Sequence, residues 1–176
     1  MEVDETMSVK RIARIAIFAA VIFVQEFALS FIPNVQFTQC LIAICYYAFG
    51  LLDTLLVVTI HVILDNLAMG SFNLIYTPAM FIGWITLPLF LHLFRKNQNK
   101  FFSATLVGLH GIVYSLLFAF ANSLIKEVPF LSYFLVDIPY EVILVVNGFV
   151  TTLLLKDRLV GFLKKLTNDN KSLHNI

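Results

Sequence analysis

The run VKRIARIAIFAAVIFVQEFALSFIPNVQFT, residues 9–38, decides how the rest of the chain is read. It opens on Lys10, Arg11 and Arg14, continues through an apolar stretch, meets the polar pair Gln25 and Glu26, and ends in a Pro33-Asn34 turn. Such a run predicts a membrane helix with unlike ends. At 1.5 Å rise per residue, Glu26 stands about 24 Å beyond Lys10, near the far edge of a hydrocarbon layer of roughly 30 Å. A basic end of this kind belongs in the cytosol.

The composition agrees with that reading. A chain of 176 residues that is 60% hydrophobic, with 18 Phe and a mean hydropathy of +0.89, is an integral membrane protein rather than a soluble core. Residues 1–8 are polar and acidic and lack the pattern of a signal peptide, so the first helix is expected to be retained. A net charge of +1, without a basic run interleaved with aromatics, sets nucleic acid aside as a partner. Cys40 and Cys45 lie on different faces of a helix, too far apart for a disulfide, and are expected to be small buried hydrophobes.

Apolar runs separated by polar breaks predict six spans, at 9–31, 36–49, 51–67, 74–94, 101–125 and 134–155. The second and third are short, and Gly50 between them implies a tight turn. Eleven of the twelve Lys and Arg residues fall on one side of a six-span chain, and only Lys126 falls on the other. Because positive charge collects in the cytosol, this predicts an all-α membrane protein with six transmembrane helices and both termini cytoplasmic. Residues 1–176 then form one domain, with 1–8 and 166–176 as tails.

The acids behave differently from the bases. Glu26, Asp65, Asp137 and Glu141 all fall in the outer part of the membrane, with Gln25, Asn34, Gln36, Asn66 and Asn73 at similar depth. Gln39, Asn122, Tyr76, Tyr114 and Tyr140 lie there too. Polar groups in hydrocarbon are costly unless they face one another or a water-filled cavity, so this asymmetric layer predicts a binding pocket open to the outside.

Glu26 is either an interfacial acid snorkelling to headgroups or an acid lining the pocket. Asp137 and Glu141, four apart around Pro139, share one face near a helix start, where the dipole favours acids; they repel unless a cation or donor lies opposite. His61 and Asp65 also share a face. With His110 they have metal-type spacing, but a metal site usually carries a denser motif, so an internal hydrogen bond or a substrate contact is expected, with no metal and no cofactor. Trp84, Tyr76, Tyr114, Phe72 and Phe31 are candidates to stack on a flat ligand, and Pro78 and Pro88 are expected to kink or break the fourth span.

On the inner half of the first helix, Ala13, Ala16 and Ala20 form a small-residue stripe about 120° away from Glu26, the kind of face that lets another helix approach closely. At this point the chain resembles a substrate-binding S component of an energy-coupling factor (ECF) vitamin transporter. The resemblance rests on six helices with cytoplasmic termini, the length, the A-x-x-x-A at Ala16 and Ala20, the polar outer half, and the stretches IPNVQFT, LDNLAMGSFN and YTPAMFIGW. It implies that Ala16 and Ala20 dock on a transmembrane coupling subunit and that loop 33–38 closes over substrate. It implies further that the loops after helices three and five add contacts, and that two ATPase subunits drive a toppling that carries substrate inward.

The chain itself has no G-x-x-x-x-G-K-[ST] phosphate loop, so it is expected not to be an enzyme and to need ATPase partners. With acids and amides but no Arg in the outer half, a carboxylate vitamin would lack a bidentate partner. Neutral or cationic micronutrients fit better: cobalamin, ranked first, a thiamin or pyrimidine precursor, a nucleoside-like base, or riboflavin. The competing class is a proton-coupled secondary transporter using these acids, although no internal repeat is evident. No G-x-S-x-G, H-E-x-x-H or Cys/His/Asn arrangement points to an intramembrane enzyme.

Overall fold

The computed structural model describes residues 9–68 and 72–172, without the side chains of 168–172. The terminal segments 1–8 and 173–176, and positions 69–71 in the loop after the third helix, lie outside the described residues. Among the described residues the chain is all helix: α1 (Val9–Leu29), α2 (Thr38–Phe49), α3 (Leu51–Ala68), α4 (Tyr76–Leu93), α5 (Lys100–Lys126) and α6 (Phe130–Ser172). All but α2 are long and apolar enough to cross a membrane, as befits a multi-pass membrane protein.

Two helix lengths stand out, one short as expected and one longer than expected. α2 has 12 residues and so rises only about 18 Å, well short of the hydrocarbon thickness. It compensates by burial: eight of its residues, from Thr38 to Tyr46, are out of contact with the surroundings, and it packs against all five other helices. Cys40 and Cys45 are free and buried there, as small hydrophobes. In the other direction α6 runs for 43 residues, about 64 Å, so helix continues through most of the segment expected as a tail.

Gly50 alone joins α2 to α3. Its φ of +90° lies in the region that only glycine enters without a side-chain penalty, and its N–H bonds the Tyr46 carbonyl at 2.9 Å. Pro78 sits in the first turn of α4, where no intrahelical N–H is required, while Pro88 and Pro139 lie inside α4 and α6. The α5–α6 pair is the most extensive in the bundle. Its helices close on each other at Gly108, where an added methyl would lie 3.2 Å from the Phe149 Cβ and from the Val145 carbonyl oxygen.

The basic clusters meet at one end of the bundle. There Asp53, buried in the first turn of α3, is clamped by Arg11 at 2.7 Å and by Arg14, and Arg14 also covers the Phe49 ring at 4.3 Å. On the far side Lys156 of α6 is buried and donates to the Gln98 carbonyl at 2.8 Å and to the Ser103 hydroxyl at 2.9 Å, tying α6 to the link between α4 and α5. Glu26, Asp65, Asp137 and Glu141 gather toward the opposite end, which holds the 30–37 loop and the α5–α6 turn.

Candidate functional site

The acid-bearing end is built around the recessed start of α2. Because α2 begins low in the bundle, the chain leaving α1 folds back over it, and the Gln25 side chain holds the entry to α2. Gln25 accepts from the Phe37 N–H at 2.8 Å and donates to the Thr38 hydroxyl at 2.7 Å; that hydroxyl donates in turn to Glu26 at 2.7 Å. Beyond this hub the loop crosses to α6 and is pinned twice. Asn34 donates to the Tyr140 carbonyl at 2.8 Å, and the Asn147 amide donates to the Gln36 carbonyl. Asn34 adopts a left-handed φ of 57°, a conformation its short polar side chain tolerates.

Under this strap lies a cavity of about 320 Å³ between α4, α5 and α6. Of the expected residues, Asn34, Tyr76, Tyr114, Asp137, Tyr140 and Glu141 line it, joined by Pro33, Ser115, Phe118, Asn122, Tyr133 and Leu144. The added positions follow a period visible in hindsight. Ser115, Phe118 and Asn122 recur at i, i+3 and i+7 on α5, and Tyr133, Asp137, Tyr140, Glu141 and Leu144 share one face of α6. The aromatic wall is continuous: Tyr114 stacks on Phe118 at 4.4 Å and Tyr76 meets Phe118 edge-on at 4.9 Å.

A second set of expected residues forms a drier cluster behind that wall, between α1, α3 and α4. His61 is fully buried, with Nε2 3.3 Å from Glu26 Oε2 but out of line for a hydrogen bond. The expected His61–Asp65 hydrogen bond is not formed; the one-turn spacing on α3 leaves His61 facing α1 instead. Trp84 is buried at 6.1 Å from His61, and its ring lies 4.4 Å from Tyr114, so this indole backs the cavity wall without lining it. His110 sits beyond Trp84, again at 6.1 Å, bonded to the Gly83 carbonyl at 2.9 Å, so His61, Asp65 and His110 do not converge. Among the described residues no three His, Cys, Asp or Glu side chains stand close enough to hold a metal ion.

Other expected contacts are consumed by the fold. Asn66 donates to the Val62 carbonyl and accepts from the Thr77 hydroxyl at 2.7 Å, locking α3 to α4. Asn73 is exposed and caps the start of α4, accepting from the Ile75 and Tyr76 N–H groups. Gln36 contributes its backbone carbonyl to the strap rather than its side chain to the cavity.

Several polar atoms in this region are buried without a hydrogen-bond partner: both ring nitrogens of His61, Asp65 Oδ1, Trp84 Nε1 and Glu141 Oε2. An orphaned buried polar atom costs about 1–3 kcal/mol, so their concentration at one end marks a place where the fold gives up stability. At the basic end a second cavity, also of about 320 Å³, has the opposite character, with Arg95, His92, Tyr46, Tyr47 and Gln98 in its wall. No family model, curated protein or solved structure matches the chain.

Proposed function

We propose that this protein is the substrate-binding S component of an ECF-type ABC importer, spanning the cell membrane six times with both termini in the cytosol and its acid-bearing cavity open to the outside. The observation that carries this reading is a division of labour across the bundle. The cavity, with the unpartnered Glu141 oxygen in its wall, lies at one end, while on the other half of α1 Ala13, Ala16 and Ala20 are exposed. A small-residue face left uncovered in the membrane is suited to a close-packed partner helix. A transmembrane coupling subunit would dock there, and two ATPase subunits would supply the nucleotide chemistry for which this chain has no phosphate loop.

The substrate is a neutral or cationic vitamin or related micronutrient. A cavity of about 320 Å³ favours the smaller candidates, a pyrimidine precursor or a nucleoside-like base, over a corrinoid. The test is Ala16→Leu with Ala20→Leu. Binding to the isolated protein should persist while co-purification with the coupling subunit and ATP-dependent uptake are lost; unchanged assembly would refute the reading.

One observation favours a second reading, a proton-coupled secondary transporter: Glu26, His61 and Asp65 lie together in the dry cluster, a buried acid–histidine arrangement of the kind proton relays use. Uptake driven by a proton gradient in liposomes without ATPases would establish it in place of the importer reading.

A further inference from the structure

Resting on the reading of the acid-bearing cavity as the substrate site, we propose that its ligand is a small organic cation, a protonated amine or cationic heterocycle, held by Asp137 and Glu141 in a tyrosine-rich cavity. Among the described lining residues there are four tyrosines and a phenylalanine, two carboxyl side chains, and no Lys, Arg or His. Carboxylates attract a desolvated cation, and a wall that holds two of them without a basic residue disfavours an anion.

The lining amides and the lining serine point the same way, because each directs a donor into the protein. Asn34 donates to the Tyr140 carbonyl, Asn122 to the Phe118 carbonyl at 2.9 Å, and Ser115 to the Gly111 carbonyl at 2.7 Å. What these side chains retain for a ligand is chiefly acceptor oxygen. Glu141 adds a buried carboxyl oxygen with no partner at all. A ligand rich in N–H donors, or carrying positive charge, satisfies this set; an acceptor-rich ligand leaves it unpaired.

A cation already uses the rim of the same wall. The Lys126 ammonium lies 4.8 Å from the centre of the Tyr133 ring, and Tyr133 lines the cavity. The cationic wall of the cavity at the basic end shows that this preference belongs to one end of the bundle only.

The test uses three ring-matched probes on the isolated full-length protein in detergent: 1-methylnicotinamide, a cation; nicotinamide, neutral; and nicotinate, an anion. The chain has one Trp, Trp84, packed on the cavity wall, so intrinsic fluorescence reports occupancy, with thermal unfolding as a second readout. The cation should bind at least about tenfold more tightly than nicotinamide, and nicotinate should not bind. Asp137→Asn with Glu141→Gln should abolish the preference for the cation. Lys126→Ala, at an exposed position outside the lining, should leave cation affinity unchanged or raise it. Equal or tighter binding of nicotinamide or nicotinate, weaker cation binding by Lys126→Ala, or no response to any probe overturns the proposal. None of these outcomes involves a coupling subunit, so the importer reading stands or falls separately on the Ala16/Ala20 variant.

Discussion

Gly83 is the position where a single methyl group should reach the cavity through the core. An added Cβ there would lie 2.8 Å from Tyr114 Cδ2 and 3.0 Å from Cε2. Carbon–carbon contacts settle at about 3.5–4.0 Å, so the ring must retreat by roughly 1 Å. Retreat is obstructed: Tyr114 is stacked between Trp84 and Phe118, each at 4.4 Å, and its ring is part of the cavity wall. Overpacking of a close-packed core costs about 1–3 kcal/mol, so Gly83→Ala should lower the midpoint of thermal unfolding by something on the order of 5 °C. The same displacement should shift the emission of Trp84 and weaken ligand binding by about tenfold, equivalent to about 1.4 kcal/mol. Gly161→Ala is the control. Nothing lies within 4 Å of its added Cβ, so exchanging glycine for alanine in mid-helix should be neutral or stabilising by up to about 1 kcal/mol. Differential scanning fluorimetry and a fluorescence titration on both variants decide the matter. Unchanged melting, emission and affinity in Gly83→Ala would refute the argument that this glycine sets the position of the wall.

Removing either pin of the 30–37 strap, by Asn34→Ala or Asn147→Ala, should cost about 1 kcal/mol of stability and speed ligand release more than it slows entry, measured by stopped-flow Trp84 fluorescence. Asp53→Ala should destabilise by about 1–3 kcal/mol, because Arg11 and Arg14, both partly exposed, lose the carboxylate that clamps α1 to α3; chemical unfolding in detergent measures it. Gln25→Ala should destabilise by about 1–2 kcal/mol through loss of its hydrogen bonds to Phe37 and Thr38, with a smaller effect on affinity than Glu141→Gln, since Gln25 does not line the cavity.

The residues legible in the sequence were those whose signal is local. Asp137 and Glu141 could be placed together because four residues of one helix bring them to one face, and both line the cavity. Asn34 and Tyr76 were recognisable as polar groups at membrane depth. Of the two readings of His61, the bond to its helical neighbour Asp65 is not formed; the structure turns the ring to Glu26, 35 positions earlier in the chain. Asn66 and Asn73 look in sequence like the cavity residues, because an amide that locks two helices or caps one is of the same residue type as an amide that meets a ligand.

By itself the sequence determined that this is a helical membrane protein, where the first five helices lie to within a few residues, and that the basic clusters belong to the end opposite Glu26, Asp65, Asp137 and Glu141. Those properties depend on apolar length and on charge counted along the chain, so no knowledge of neighbours is needed. The sequence already marked α2 as short; only the tertiary structure decided how fully it is buried among the other five helices. The strap it requires joins Asn34 to Tyr140 across 106 residues and Gln36 to Asn147 across 111. It also decided which polar groups face the cavity and which are consumed by packing. Those choices depend on helix rotation and depth, set by the close approach of α5 to α6 and by the Gly50 turn, where non-local contacts outweigh any local pattern.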